Sequence, residues 1–309
     1  MKTRLPIILA MLANPVLAAP FAYVPNEKSA TISIIDTATD QRTANLPVGQ
    51  RPRGAVTDGA LLYLTDAKEG SLLTFDPANG KVLRNTRVGA SPEGLGLSAD
   101  GKLLAAAVED DNSVVLVEAN SGKELARIKV DGRNPEHAVF SPDGRWIYVS
   151  AEEAEQVDVI DVAKRQQVGH IVVGKRPRGI AFLADGSRAY VACELAGKVY
   201  AIDVASQKVI AEVTAGQYPN GVAAHPDGRH VFVSNGRDGT VMVIETASNT
   251  VVATIAVGKR PWNMALTPDG AKLYVANGRS NSVSVIDTAN YKKLVDIEVG
   301  ELPWGVSIR

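Results

Sequence analysis

Seven side chains that follow a recurring proline are the strongest candidates for chemistry in this chain. The phrase Val-Gly-x-x-Pro-x-Gly recurs, with small variations, seven times. The residue after its proline is in turn Arg53, Glu93, Glu136, Arg178, Asn220, Trp262 and Trp304. Two tryptophans beside cations suit a flat, conjugated, anionic ligand such as a quinone or a haem. They equally suit a protein partner, because Trp and Arg are common interface anchors, and a purely structural role is the third possibility.

His137 is the one histidine in this set of loops, where it replaces the glycine of the phrase. With Glu93 and Glu136 it forms a hypothetical hydrolytic group, and alone it is a hypothetical axial ligand for a haem. The other three histidines fall on different repeats or faces, so we predict no multi-histidine metal site. The single cysteine, Cys193, has no histidine nearby in its repeat, so we expect a buried, inert thiol. We therefore assign no catalytic residue and no metal ligand.

The spacing of the phrase defines the elements that must position these side chains. Its prolines lie 40 to 43 residues apart, and an Asp-Gly turn recurs in step with them. Between residues 257 and 300, two turns and runs of alternating apolar residues divide one repeat into four short strands. Four strands in about 42 residues are typical of a β-propeller blade. A right-handed β-helix is the alternative, but its coils are shorter.

The two ends of the repeat array predict how the ring closes. Three strands precede Pro52, and one strand, from Gly305 to Arg309, follows Pro303. Together they complete a seventh blade, which would leave no exposed strand edge at the closure. We predict an all-β, seven-bladed propeller with four-stranded antiparallel blades, forming one domain over residues 19–309.

The first 18 residues have the pattern of a signal peptide. Lys2 and Arg4 precede an apolar run from Leu5 to Leu17, and small residues follow. The run is too short to span a bilayer comfortably, so we expect cleavage after Ala18 or Ala19 and a periplasmic protein without a membrane span. Loss of Lys2 and Arg4 changes the formal charge from −1 to −3. Such a chain lacks the basic excess that nucleic-acid binding requires.

The repeats resemble the YVTN family of β-propellers. The naming motif occurs as Tyr23-Val24-Pro25-Asn26 and Tyr274-Val275-Ala276-Asn277, and with phenylalanine as Phe232-Val233-Ser234-Asn235. Looser copies are Tyr63-Leu64-Thr65-Asp66, Tyr148-Val149-Ser150-Ala151 and Tyr190-Val191-Ala192-Cys193. Within that family, an exported chain with seven repeats is similar to the propellers associated with pyrroloquinoline-quinone (PQQ)-dependent alcohol catabolism. The resemblance implies a binding or scaffold protein whose partner is a periplasmic quinoprotein dehydrogenase or cytochrome. PQQ and haem are possible cofactors on this ground alone, and a lactonase or a haem or quinone carrier is the alternative.

In propellers, the loops between blades and the loops between the second and third strands of each blade share one face. The central channel opens there, which makes this mouth the default ligand site. We predict that the seven post-proline side chains and His137 surround the mouth. By the same argument, we expect Asn26, Asn235 and Asn277 to lie beside the tryptophans.

Overall fold

A computed structural model describes residues 20–309, so the predicted leader, residues 1–18, lies outside the described part of the chain. Residues 20–309 form seven antiparallel sheets and no helix, hence no helix that could cross a membrane. The sequence-based prediction of a seven-bladed propeller with four-stranded blades is confirmed.

The strands follow the repeat closely. The closing blade contains β1 (Phe21–Asn26), β2 (Thr31–Asp36) and β3 (Gln41–Pro47). The next three blades contain β4 (Pro52–Thr57), β5 (Leu62–Asp66), β6 (Ser71–Asp76) and β7 (Lys81–Arg87); β8 (Pro92–Leu97), β9 (Leu103–Val108), β10 (Ser113–Glu118) and β11 (Glu124–Lys129); and β12 (Pro135–Phe140), β13 (Trp146–Ala151), β14 (Gln156–Asp161) and β15 (Gln166–Val172). The last three contain β16 (Pro177–Phe182), β17 (Arg188–Cys193), β18 (Lys198–Asp203) and β19 (Lys208–Thr214); β20 (Pro219–Ala224), β21 (His230–Asn235), β22 (Thr240–Glu245) and β23 (Thr250–Ala256); and β24 (Pro261–Leu266), β25 (Lys272–Asn277), β26 (Ser282–Asp287) and β27 (Lys292–Glu298).

The hydrophobic core lies between neighbouring blades. The second and third strands of each blade are buried on both faces, whereas the outermost strand alternates between exposed and half-buried residues. Each core cluster combines side chains of two adjacent sheets, as where Tyr148 of one blade packs on Phe182 of the next, with ring centroids 4.8 Å apart. The aromatic residue of the YVTN motif is fully buried at Tyr148, Tyr190, Phe232 and Tyr274. Burial of these large side chains between sheets gives the ring its rigidity.

The C-terminal segment closes the ring. The backbone of Tyr23 exchanges two hydrogen bonds with Ser307, each 2.9 Å long, and the amide of Trp304 donates to the carbonyl of Pro25. These contacts are separate bridges rather than a continuous ladder. They place the last residues along β1 as the innermost strand of the closing blade, as the repeat count predicts.

In the six complete blades, a β-bulge at the start of the innermost strand turns one side chain toward the axis. In β16, Pro177 pairs with Cys193, and regular pairing resumes only at Ile180. The skipped residues are the post-proline residue and the glycine after it, and a bulge of this kind re-aims a side chain out of the ladder. A Cβ atom on Gly179 would lie 2.5 Å from the carbonyl oxygen of Asn220, so the glycine permits close approach of the adjacent innermost strand.

Candidate functional site

The face that carries the inter-blade loops, here called the funnel face, contains a polar cavity of about 210 Å³, the funnel cavity. All seven post-proline residues line it: Arg53, Glu93, Glu136, Arg178, Asn220, Trp262 and Trp304. The bulges described above explain this convergence. The remaining lining residues are Glu27, Glu109, Glu152, Arg176, Arg260 and Asn263. The structure thus brings the predicted ring together, while a binding role for it stays a prediction.

Arginines and glutamates around the cavity form two ion-pair networks. The smaller one centres on Glu27, whose Oε1 lies 2.6 Å from Nε of Arg51 and 3.2 Å from Nη2 of Arg53. Arg53 also pairs with Glu93. Ser91 donates to Oε2 of Glu109 at 3.1 Å and so connects the next carboxylate to the network. Glu27 and Glu93 are buried, and their pairing with arginines offsets the cost of burying a carboxylate.

The larger network centres on Arg178. Its guanidinium pairs with Glu152, with Oε1 of Glu136 at 2.8 Å and with Oε2 of Glu194 at 3.1 Å. Arg176 lies 3.4 Å from Glu152 and 3.2 Å from Glu194, and Nη2 of Arg260 lies 2.7 Å from Oε1 of Glu194. Three arginines therefore share three carboxylates, so none of these charges is free without displacing another.

The carboxylates of this network differ in acidity. Burial alone would raise the pKa of Glu136 and of Glu194, but the charge of Arg178 outweighs it and holds both pKa values below the usual range. At Glu152, burial followed by repulsion from Glu136 raises the pKa to about 7. Burial lowers the pKa of Arg178, but attraction to Glu136, Glu152 and Glu194 is stronger and leaves it raised. Glu152 is therefore the carboxylate poised for proton exchange near neutral pH.

His137 lies deeper than the sequence predicts. It lines a second cavity of about 170 Å³, the channel cavity, together with Trp304, Asn263 and Met264. Its ring centroid is 5.4 Å from that of Trp304, which together with Asn263 lines both cavities. Burial lowers the pKa of His137, which favours neutral imidazole.

Within residues 20–309, His137 forms no side-chain hydrogen bond to Glu93 or Glu136, the other members of the hypothetical hydrolytic group. Glu93 pairs with Arg53 and Glu136 with Arg178, while the charge of Glu136 also acts on the neighbouring imidazole. Nε2 of His137 is buried without a hydrogen-bond partner. The channel cavity that His137 lines, about 170 Å³, is smaller than the about 300–1,000 Å³ usual for drug-sized ligands. A role for His137 as a haem ligand stays a prediction.

The three asparagines of the YVTN motif lie inside the blades and do not line the funnel cavity. All three are buried, and their amides hold the loops in place. Asn235 and Asn277 each accept a hydrogen bond of 3.1 Å from a backbone amide of the inter-blade loop, at Gly216 and Gly258. Asn26 donates to Oγ of Ser33 at 3.0 Å. Their position differs from the expected one because strand β1 and its equivalents end one layer behind the innermost strands.

Glu27, Glu194 and Asn263 are cavity or network residues that the sequence analysis missed. Glu27, Glu109, Glu152 and Glu194 occupy the same repeat position, directly after the YVTN motif or its looser copies. The sequence signal for this second ring of side chains is the recurrence of glutamate at that one position in four repeats. At Gly278, in the same position, Trp262 packs over the glycine, where a Cβ atom would lie 2.8 Å from its indole.

Cys193 is fully buried, and burial raises the pKa of its thiol to about 12. It lies in the core cluster between two blades, away from both cavities. Within residues 20–309, no three His, Cys, Asp or Glu side chains come close enough together to hold a metal ion.

Comparisons with known proteins agree with the propeller fold, and the two families that match have different descriptions. A family described as "Lactonase, 7-bladed beta-propeller" matches residues 162–298, and one described as "Cytochrome D1 heme domain" matches residues 103–217. No curated protein sequence matches the chain.

Two solved structures have the same architecture. Hydrazine synthase of Kuenenia stuttgartiensis is similar with a TM-score of 0.80 and 22% identity, covering 92% of this chain and 99% of that one. A functionally unknown protein from Desulfotomaculum acetoxidans DSM 771 is similar with a TM-score of 0.82 and 18% identity, and the match covers 93% of this chain and 98% of that one. At these identities the likeness extends to the fold alone.

Proposed function

We propose that this chain is an exported binding propeller that docks a periplasmic partner protein on its funnel face, as an accessory of PQQ-dependent alcohol oxidation. The partner class comes from the resemblance to PQQ-associated YVTN propellers. A quinoprotein dehydrogenase or its cytochrome is the proposed partner. The redox cofactor belongs to that partner.

The observation that carries the proposal is the combination of Trp262 and Trp304 with arginines around a cavity of only about 210 Å³. A cavity of that size is below the usual range for small-molecule sites, about 300–1,000 Å³. It is suited to one or two side chains of a partner. Arg51 and Arg176 are 44% and 40% exposed at the rim, so both side chains are accessible to a partner protein.

The test is binding of the purified propeller to the purified quinoprotein dehydrogenase and cytochrome of the same cell, measured by calorimetry. Trp262→Ala should weaken binding by about 2 kcal/mol or more, as for an interface hot spot. Trp146→Ala is the matched control, because Trp146 starts β13 at the opposite end of its blade. Equal loss in both variants, or no binding of either protein, would refute the proposal.

A lactone hydrolase is the second candidate, which the match over residues 162–298 and the environment of Glu152 favour. In this reading Glu152 takes a proton from water as the water oxygen attacks the lactone carbonyl. The ring C–O bond then breaks, and the leaving alkoxide receives the proton. Arg176 and Arg178 lie beside Glu152 and would stabilise the negative charge that develops on the carbonyl oxygen.

Hydrolysis of a panel of lactones, followed by proton release, tests this candidate. Glu152→Gln should reduce turnover by about a hundredfold or more, whereas Glu153→Gln, on the same loop, should retain it. Activity that survives Glu152→Gln would exclude this mechanism.

A haem carrier is the alternative that the match over residues 103–217 supports. It predicts a coloured protein whose native mass exceeds that of the polypeptide. An absorbance spectrum and a native mass of protein purified from periplasm test it directly. A visible chromophore would favour the carrier over the docking protein, and a colourless protein of polypeptide mass would exclude it.

A further inference from the structure

A second opening on the funnel face lies between the blade β20–β23 and the blade β24–β27. Its volume is about 940 Å³. Four cations, one tyrosine and one acid line it, and three glycines leave the backbone open: Arg237, Lys259, Arg260, Arg279, Tyr218, Asp238, Gly236, Gly239 and Gly258. We call this opening the basic cleft. It adjoins the funnel cavity, because Arg260 lines both.

The cations of the basic cleft are largely unpaired. Within residues 20–309, Arg260 is the one member of the four with an ion pair, to Glu194. Arg237, Lys259 and Arg279 are exposed. The carboxylate of Asp238 accepts a hydrogen bond of 2.7 Å from the backbone amide of Gln217, so it stabilises a loop. The cleft therefore presents positive charge that the protein itself does not neutralise.

Tyr218 orders two of these cations. The guanidinium carbons of Arg237 and Arg260 lie 5.5 Å and 5.6 Å from the centroid of its ring, within the range of cation–π attraction. Since both arginines rest against one ring, less side-chain freedom is lost when a ligand engages them.

The fold does not require Arg237 and Arg279. Two blades earlier, the equivalent opening is lined by Glu109, Glu152, Glu153, Glu155, Arg133, Asn134, Lys175, Arg176 and Leu195, and we call it the acidic cleft. Glu153 occupies the repeat position of Arg237, Leu195 that of Arg279, and Asn134 that of Tyr218, whereas Lys175 and Arg176 match Lys259 and Arg260. Because both clefts stand on the same backbone elements, the charges of Arg237 and Arg279 have another cause than folding.

We propose that the basic cleft binds an acidic segment of the partner protein, an inference that rests on the proposed docking function. Guanidinium groups bind carboxylates in a planar, two-point geometry, which favours Asp and Glu side chains as ligands. A cleft of about 940 Å³ that continues into the funnel face accommodates several residues of extended chain. The formal charge of −1 for the whole chain provides no general attraction for nucleic acid.

The probe is a fluorescein-labelled hexaglutamate peptide, and the readout is fluorescence anisotropy on the full propeller at low ionic strength. The double variant Arg237→Ala/Arg279→Ala should raise Kd by about tenfold. The control Lys68→Ala/Lys175→Ala removes the same charge from exposed positions on the funnel face, and it should change Kd by about twofold at most. Added salt should weaken binding progressively.

Equal weakening in both double variants would overturn the inference, since it would reflect net charge alone. Competition by inorganic phosphate at matched charge concentration would also overturn it, in favour of a small-anion site. Tighter, cleft-dependent binding of a thymidine oligonucleotide would overturn it in favour of nucleic acid.

The peptide assay separates this inference from the proposed function. Cleft-dependent peptide binding without binding of the dehydrogenase or cytochrome would support the cleft assignment and reject the proposed partners. Dehydrogenase binding that is unaffected by Arg237→Ala/Arg279→Ala would support the proposed partner and reject the cleft assignment.

Discussion

The acidic and basic clefts occupy equivalent positions in the ring, yet their charges are managed differently. In the acidic cleft, Arg176 and Glu152 belong to the network around Arg178 and satisfy one another. In the basic cleft, Arg237, Lys259 and Arg279 face solvent, and none has a carboxylate partner among residues 20–309. The position of a residue in the repeat therefore determines where its side chain points. Whether that side chain has an ion-pair partner determines whether it stabilises the fold or is available to a ligand.

The largest expected difference in stability is between removal of Arg178, the centre of the ion-pair network beside the acidic cleft, and removal of Arg237 from the basic cleft. Arg178→Ala leaves Glu136, Glu152 and Glu194 without their shared cation, and it should lower the free energy of unfolding by about 3–5 kcal/mol. Arg237→Ala should change it by about 0.5 kcal/mol or less. Urea denaturation at pH 8 measures both. A cost for Arg178→Ala below about 1 kcal/mol would mean that the network does not stabilise the ring.

A tyrosine pair extends the contrast to packing. Tyr274 is fully buried and bonded to Asp40 through its hydroxyl, so Tyr274→Ala should cost about 3–5 kcal/mol, as for other large aromatic truncations. Tyr218 lies half-buried in the basic cleft, and Tyr218→Ala should cost about 1 kcal/mol or less. Thermal or urea unfolding compares the two, and similar costs would contradict the distinction between core and cleft.

Within the network around Arg178, Glu152 is the carboxylate whose raised pKa makes stability depend on pH between about 4.5 and 7. Its pKa is raised from 4.5 to about 7, so the folded state keeps a proton that the unfolded state releases. Stability from this group is therefore greatest below pH 4.5 and falls as the pH rises to about 7, by up to about 3 kcal/mol. His137, with its lowered pKa, opposes the trend, because the unfolded state gains its proton first as the pH falls below 6.5.

Glu152→Gln isolates the contribution of the carboxylate. From pH 4.5 to 7 the unfolding free energy of Glu152→Gln should rise steadily relative to that of the parent, because the parent loses the stability that the proton on Glu152 provides. Above pH 7 the difference should be constant. Denaturation curves at closely spaced pH values measure it. A constant difference across this range would show that the pKa of Glu152 is not raised.

The smallest expected effect comes from placing the two arginines of the basic cleft at the equivalent positions of the acidic cleft. Glu153→Arg/Leu195→Arg copies Arg237 and Arg279 onto equivalent positions of the acidic cleft. Since both residues are exposed, stability should change by about 0.5 kcal/mol or less. Affinity for hexaglutamate should rise by about two- to tenfold over the parent. Absence of any gain would show that Tyr218, and not charge alone, makes the basic cleft.

The repeat made the fold predictable, because strand number, turn positions and ring closure all follow from one unit copied seven times. It also predicted the convergence of the post-proline side chains, including Trp262 and Trp304, on one cavity. It did not predict the depth of His137 or the burial of Asn235, since these depend on how neighbouring blades approach the axis. The ion-pair networks were missed because Arg178 contacts Glu136 and Glu152 of the preceding repeat as well as Glu194 of its own, and no single repeat contains that information.

The closure by residues 303–307 has a consequence for biosynthesis. The innermost strand of the first blade to emerge is the last segment to be made, so β1 waits with an unpaired edge until the whole array has been synthesised. An open edge of this kind invites pairing with other chains. On the proposed export of the chain, this interval would include translocation across the membrane.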